Sequence, residues 1–316
     1  MPEVILHIGA HKTGTTTLQR LFAENRELLE NHGVLYPDTN WYHYAQHRLA
    51  FALRAQSFDV AGGCAEARAQ LDLLCRAISE TKAEKIFVSS EELFSIPLGK
   101  LRLLAERLGE WPVRIIAVVR RPDDMLLSLY NQNIKHPGNS FRRPIGYFLE
   151  NPHEIDPDMH ANTCIGNWIE LFGQDNVTLL DYESKSPVDV IIDHLGMAGH
   201  LAPPLQRDNP RVPGIVGEII RLSKMIDMPA ERQARLFRVA LNLFSGRPKL
   251  DIPTEDRASI IAAFEAENDA LFARFGRENP YRVNSLSFDE EVGEAAKPLN
   301  MRDMIMLVNR ILEKPE

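Results

Sequence analysis

Residues 9–17, Gly-Ala-His-Lys-Thr-Gly-Thr-Thr-Thr, gather two glycines, one lysine and four hydroxyls into one short stretch. That mixture suits an anion. Gly9 and Gly14 let the chain curl so that backbone N–H groups converge, Lys12 adds a point charge, and Thr13, Thr15, Thr16 and Thr17 add hydroxyl donors. A second cluster runs from Arg120 to Tyr130 (RRPDDMLLSLY), with Ser128 eight residues beyond Arg120. A guanidinium at a strand end can fork onto a phosphate, and Ser128 lies about two helical turns further on with a hydroxyl to donate. Proton transfer needs a base. Glu91 and Glu92 follow KIFVSS, and two adjacent carboxylates point different ways, so one can face a site while the other is solvated. Glu91 is the first choice for the base and His47 the second. His11, beside Lys12, reads as a packing or substrate-side residue.

The elements that must carry these groups follow from hydropathy spacing. EVILHIG (3–9) is a short apolar run with β-branched members and reads as a buried strand. Leu18, Leu21, Phe22, Leu28 and Leu29 form one helical stripe that Gly33 ends. Helices are predicted over 41–56 and 64–80, a strand over 85–90, a helix over 97–109, and the clearest strand over 113–119, VRIIAVV. Pro122 suits the first turn of the next helix. Residues 135–158, rich in Pro, Asn, Gly and Arg, read as a long surface loop. A helix near 159–172, a strand over 176–182 and a helix near 187–195 follow. Beyond 213 the pattern is helical, over 213–226, 230–244, 255–275 and 300–313. Strands alternating with helices imply a doubly wound parallel α/β sheet. The expected organisation is an α/β core over 1–200 with a helix-rich region, 201–316, packed on it, one domain overall. The Pro-rich stretch 203–213 is the best boundary.

The first loop comes close to the phosphate loop of NTPases, GxxxxGK[ST], but Thr15 follows Gly14 and the lysine lies inside the loop. Asp181, at the end of NVTLLD, could imitate the metal-holding aspartate of that class. A P-loop nucleotide kinase or NTPase therefore stays open, as does a non-catalytic nucleotide-binding module.

KTGTT after a first strand resembles the 5′-phosphosulfate loop of the sulfotransferases that use 3′-phosphoadenosine 5′-phosphosulfate (PAPS). Arg120 and Ser128 are similar in spacing to that family's 3′-phosphate loop, and Leu179-Leu180-Asp181-Tyr182-Glu183 to the strand it carries afterwards. The resemblance spans about residues 3–195 and looks most like bacterial members. It implies transfer of a sulfuryl group from PAPS to a hydroxyl or amine. It places His11, Lys12, Thr13, Gly14, Thr15, Thr16, Thr17, Arg120 and Ser128 on the cofactor, Lys12 at the transferred group, and Glu91 or His47 as base. No metal is implied. His43 and His47, four apart, would need further ligands to hold one. Ser89 and Ser90 could line the same strand end, Arg142 and Arg143 could meet an anionic acceptor, and Asn209 and Arg211 could close over the nucleotide.

Composition frames this reading. Of 316 residues, 36 are Lys or Arg and 44 Asp or Glu, a net charge of −8. That excludes general nucleic-acid coating, which needs a basic face, but not a small anion held at one positive spot. Cys64, Cys75 and Cys164 form no CxxC pair or disulfide framework. No apolar stretch reaches a membrane-spanning length and the first residues lack a secretory pattern, so a cytoplasmic protein is expected. The expected acceptor is a small molecule or a glycan. Nothing in the sequence pattern sets an oligomeric state.

Overall fold

Val4, Ile5, Leu6 and Ile8 are all buried, as are Ile86–Val88 and Ile115–Val119. Runs apolar on both sides cannot face water on either, so they become inner strands of a parallel sheet covered by helices. The computed structural model describes residues 1–55, 65–136, 138–201, 211–285 and 306. In chain order the elements are β1 (Glu3–Gly9), α1 (Thr15–Glu24), α2 (Arg26–Asn31), β2 (Val34–Leu35), α3 (His47–Arg54), α4 (Ala65–Glu80), β3 (Lys85–Ser89), α5 (Leu98–Leu108), β4 (Val113–Val119), α6 (Pro122–Lys135), α7 (Ile145–Glu150), α8 (Ala161–Phe172), β5 (Val177–Asp181), α9 (Pro187–His194), α10 (Gly214–Met225), α11 (Ala230–Leu243) and α12 (Thr254–Arg274).

The chain divides into two compact units. The first comprises Met1–Arg121, His160–Asp208 and Arg274–Gly276; the second comprises Pro122–Met159, Asn209–Ala273 and Arg277–Glu316.

The first unit holds the whole sheet, five parallel strands in the order β2-β3-β1-β4-β5. β1 lies in the middle, with Leu6 opposite Val88 of β3 on one side and Ile115 of β4 on the other. The doubly wound α/β expectation therefore holds. On one face Leu18 and Phe22 of α1 and Ile191 and Ile192 of α9 pack onto Ile5, Phe87 and Ile116. Each such fully buried side chain contributes roughly 1.5–3 kcal/mol. Strand order reverses between β1 and β4. In an open α/β sheet the crevice at the carboxyl ends beside that reversal is where ligands bind. The loop after β1 and Arg120 after β4 both lie there.

In the second unit, α10 and α11 share a small core of Val212, Val216, Ile219, Ala240 and Phe244. Arg257 of α12 binds the fully buried Asp123 at 2.5 Å, and also pairs with Asp251. The ammonium of Lys224, itself buried, donates to the carbonyls of Asn133 and Ile134 at 3.0 and 3.1 Å and to Asn139 Oδ1 at 2.6 Å. It thereby satisfies carbonyls in the last turn of α6 that have no helical donor, where positive charge is also favoured.

Three local expectations are corrected. The helix expected over 41–56 begins only at His47. Residues 41–46 form a turn instead, with Asn40 and His43 at φ 64° and 57° and a bridge between Tyr42 and Ala45. Backbone and side chain of Gln46 bind Ser89, and this long-range anchor outweighs helical spacing. His43 therefore shares no helix face with His47. The stretch 135–158 is not a plain loop: it contains α7 and two single turns of 3-10 helix. The stripe over 18–32 breaks at Asn25, whose amide donates to Leu21 O at 2.7 Å. Cys64, Asn209, residues 203–210 and, apart from Met306, the helix expected over 300–313 lie outside the described residues. Among the described residues no helix is long and apolar enough to cross a membrane.

Candidate functional site

The loop after β1 wraps a lysine toward the carboxyl edge of the sheet. Gly9, Lys12 and Gly14 take φ of 96°, 65° and 85°, so the loop turns through three positive-φ positions. Positive-φ residues set among ordinary ones are the backbone geometry from which anion-binding N–H concavities are built. Thr13 is buried and its hydroxyl donates to Ala10 O at 2.6 Å, which closes the loop on itself. Gly14 is the residue preceding α1 and caps it in the left-handed conformation. Thr15 is buried, Thr17 half-buried and Thr16 exposed, and among the described residues none of their hydroxyls has a hydrogen-bond partner.

Lys12 is the telling group. Its ammonium makes no hydrogen bond or ion pair among the described residues, although the side chain is largely enclosed. Burial pushes its pKa down, the neighbouring Arg120 charge pushes further, and Glu91 pulls back up. A half-buried cation with a second cation beside it is a site shaped for an anion.

Arg120 braces the same loop from β4. Its Nη1 donates to Lys12 O at 2.9 Å, and its guanidinium lies over the Tyr182 ring at 4.8 Å. Nε is buried without a hydrogen bond, 3.8 Å from Glu183 Oε1. Burial and the charge of Asp181 push Glu183 up to about 7, against the pull of Arg120.

The edge of β3 supplies the acids. Glu91 and Glu92 do diverge. Glu91 Oε2 accepts from Gln19 Nε2 at 2.6 Å and lies 3.9 Å from His47 Nε2. Glu92 instead meets His11 Nε2 at 3.2 Å and Arg54 Nη1 at 2.9 Å. Burial alone would raise Glu92, but His11 and Arg54 outweigh it and hold the carboxyl low. His47 opens α3, its Nδ1 2.8 Å from Ser90 Oγ. Burial lowers its pKa despite the two nearby carboxylates, so the ring is neutral and able to take a proton near pH 7. Beneath them, His7 Nδ1 and Gln19 Nε2 meet Ser89 Oγ at 2.9 and 3.2 Å.

The structure thus gathers His11, Lys12, Thr13, Gly14, Thr15, Thr16, Thr17, Arg120, Glu91 and His47 in the first unit, around the ends of β1, β3 and β4. Ser89 and Ser90 lie there too, as supports beneath the acids and His47. Ser128 lies on α6 in the second unit, half-buried and with no hydrogen bond among the described residues. Arg142, Arg143 and Arg211 are also in the second unit, each paired with an acid: Asp227, Glu154 and Asp124. Gln19 and His7 escape a sequence reading. The only signals are a glutamine beside the apolar stripe of α1 and a histidine inside an apolar strand.

Comparison with known proteins adds a family. A model described as the sulfotransferase domain matches residues 2–186. No curated protein matches the chain. Among solved structures, a sulfotransferase from Alicyclobacillus acidocaldarius is 16% identical, the alignment covering 74% of this chain and 98% of that one with a TM-score of 0.43. A structure from work on the PezAT chromosomal toxin–antitoxin system of Streptococcus pneumoniae is 12% identical, covering 75% of this chain and 88% of that one with a TM-score of 0.31.

Proposed function

This chain belongs to the sulfotransferase domain family, and on that premise we propose that it moves a sulfuryl group from PAPS to a hydroxyl or amine of a small-molecule or glycan acceptor. The observation that carries the reading is Lys12, a partly buried lysine whose ammonium has no hydrogen bond or ion pair among the described residues, inside a loop that turns through positive φ at Gly9, Lys12 and Gly14. The residues present fit such a donor. The loop N–H groups, Lys12 and the hydroxyls of Thr15, Thr16 and Thr17 would hold its 5′-phosphosulfate. Arg120 would hold the 3′-phosphate. PAPS supplies an activated sulfuryl group whose departure leaves adenosine 3′,5′-bisphosphate.

The chain's own residues do the rest. Lys12 and the loop N–H groups offset the negative charge that grows on the leaving phosphate oxygen, an electrostatic effect strengthened by poor access of water. Glu91 takes the proton from the attacking hydroxyl or amine. Gln19 holds one carboxylate oxygen of Glu91 in place, and neutral His47 stands beside it as the next acceptor for that proton. His11 ties Glu92 away from this group and with Arg54 keeps it charged.

Calorimetry tests the reading. Adenosine 3′,5′-bisphosphate should bind more tightly than ATP or adenosine 5′-monophosphate, and Arg120→Ala should erase the preference for the 3′-phosphate. Tight ATP binding with no such preference would sink the proposal and favour a nucleotide kinase or NTPase.

A further inference from the structure

The segment between β2 and α3 has its polarity inverted. Gln46 is fully buried and Asn40 nearly so, while Tyr42, Tyr44 and Phe51 are 50%, 42% and 43% exposed. Large rings ordinarily go inside and amides outside, so buried amides and exposed rings in one short stretch call for a cause. Each buried amide is an anchor. Gln46 Nε2 donates to Pro37 O at 2.7 Å, and its Oε1 accepts from Ser89 N at 2.8 Å. Asn40 Nδ2 donates to Gln70 O and Oε1 at 2.8 and 2.7 Å. Tyr36 OH donates to Tyr44 O at 2.7 Å. The segment is thus fastened to β3 and α4, with Tyr36 buried and Trp41 packed on the core, while Tyr42, Tyr44 and, on α3, Phe51 are turned to the solvent.

Those rings lead to the acid–base pair. Tyr42 meets Phe51 edge to face at 5.6 Å, and Phe51 lies 5.9 Å from the ring of His47. His47 Nε2 is in turn 3.9 Å from Glu91 Oε2. An aromatic surface therefore runs from open solvent to the residues that would deprotonate the acceptor. Resting on the sulfotransferase reading above, we propose that Tyr42 and Phe51 are the acceptor platform and that the acceptor is an oligosaccharide stacked on them.

The chemistry favours a sugar. A pyranose has one face of polarised C–H groups, which suits the electron-rich face of an aromatic ring, while its hydroxyls stay in water. Rings about half exposed offer that arrangement. A phenolic acceptor gains most from an enclosed apolar slot that covers both of its faces. Tyr42, with a phenol hydroxyl at the edge of the platform, adds a donor and acceptor for sugar hydroxyls.

The test is a binding experiment on the full chain, with and without saturating adenosine 3′,5′-bisphosphate. Cellotetraose, tetra-N-acetylchitotetraose, tetragalacturonate and, as the rival class, 2-naphthol are titrated by calorimetry and saturation-transfer NMR. At least one tetrasaccharide should bind. Tyr42→Ala and Phe51→Ala should each weaken it about tenfold, Tyr42→Phe should retain most of the affinity, and bisphosphate binding should not change in any of the three. Three results overturn the platform: no tetrasaccharide binds, a tetrasaccharide binds equally well to both alanine variants, or 2-naphthol alone binds and is lost in them. If the wild type takes no bisphosphate, the donor reading fails by itself, and the titrations without nucleotide still decide the platform. Both positions are solvent-facing, so melting curves of the variants should match the wild type.

Discussion

Gln19 Nε2 donates to Glu91 Oε2 at 2.6 Å, a bond from the helix that follows the anion loop to the acid at the end of β3. The same amide reaches Ser89 Oγ at 3.2 Å, so the glutamine is held from beneath. A hydrogen bond to a charged group contributes about 1.5–3 kcal/mol. Gln19→Leu should therefore lower kcat by about 10–100-fold, because the carboxylate is no longer held in place. Affinity for adenosine 3′,5′-bisphosphate should stay the same. An unchanged kcat in a folded Gln19→Leu protein would mean that Gln19 does not position Glu91.

Gly9 fixes the same acid from the other side. A Cβ on Gly9 would stand 2.8 Å from Glu91 Cβ and 2.9 Å from Glu91 Cα, and the backbone at φ 96° resists any side chain. Gly14, at φ 85°, would bring a Cβ only to 3.9 Å from Tyr182 and Val188. Both substitutions carry backbone strain of about 1–3 kcal/mol, but only Gly9→Ala must also displace Glu91. Urea unfolding should show Gly9→Ala as the less stable of the two, and its sulfotransfer rate should fall further.

These contacts also mark how far the sequence is legible. The inner strands announce themselves because Val4–Leu6, Ile86–Val88 and Ile115–Val119 are short runs, apolar on both faces and rich in β-branched residues. The anion loop is readable because only glycine takes its left-handed turns freely. Lys12 is the exception, at φ 65°, and the sequence gives no warning of it. Gln19 is hidden for another reason. Its partners, Ser89 and Glu91, are 70 and 72 positions away, and local periodicity carries no record of such pairs. The turn at 41–46 misleads outright. WYHYAQHRLAFALRAQ has helical spacing, but the buried Gln46 is tied to β3, and Tyr42, Tyr44 and Phe51 face the solvent.

Lys12 bears most directly on the chemistry. Because its ammonium has no bonded partner among the described residues, removing it orphans no acid. Lys12→Ala should leave the melting temperature close to that of the wild type, since a cation is also withdrawn from the vicinity of Arg120. Transfer should fall by at least about 10²–10³-fold, as when one preorganised donor to a developing anion is lost. Retained turnover in a folded Lys12→Ala protein would take Lys12 out of the mechanism.

His7 sets an acid limit. It is fully buried between β3 and β4, with Nε2 lacking a hydrogen bond, and burial holds its pKa near 4 against an ordinary value of 6.5. The unfolded chain therefore protonates first as pH falls. The contribution to stability is full above 6.5 and is lost as pH falls toward 4, roughly 3 kcal/mol in all. In urea titrations at pH 7, 5.5 and 4.5, His7→Asn should lose less stability on acidification than the wild type. Parallel pH dependence in the two proteins would assign the acid sensitivity elsewhere.

Glu183 acts in the opposite sense. Its carboxyl titrates near 7 in the folded chain, well above the usual 4.5, because it is buried beside Asp181. The native state therefore takes up the proton first as pH falls, and the stabilisation is full below about 4.5 and lost as pH rises through 7. Above that pH a charged carboxylate sits 3.8 Å from Arg120 Nε and competes with any anion for that guanidinium. Glu183→Gln keeps the shape and removes the charge. Relative to the wild type, its melting temperature should be higher at pH 8 than at pH 5. Its affinity for adenosine 3′,5′-bisphosphate at pH 8 should also rise severalfold. Unchanged affinity at pH 8 would mean that Glu183 does not contest Arg120.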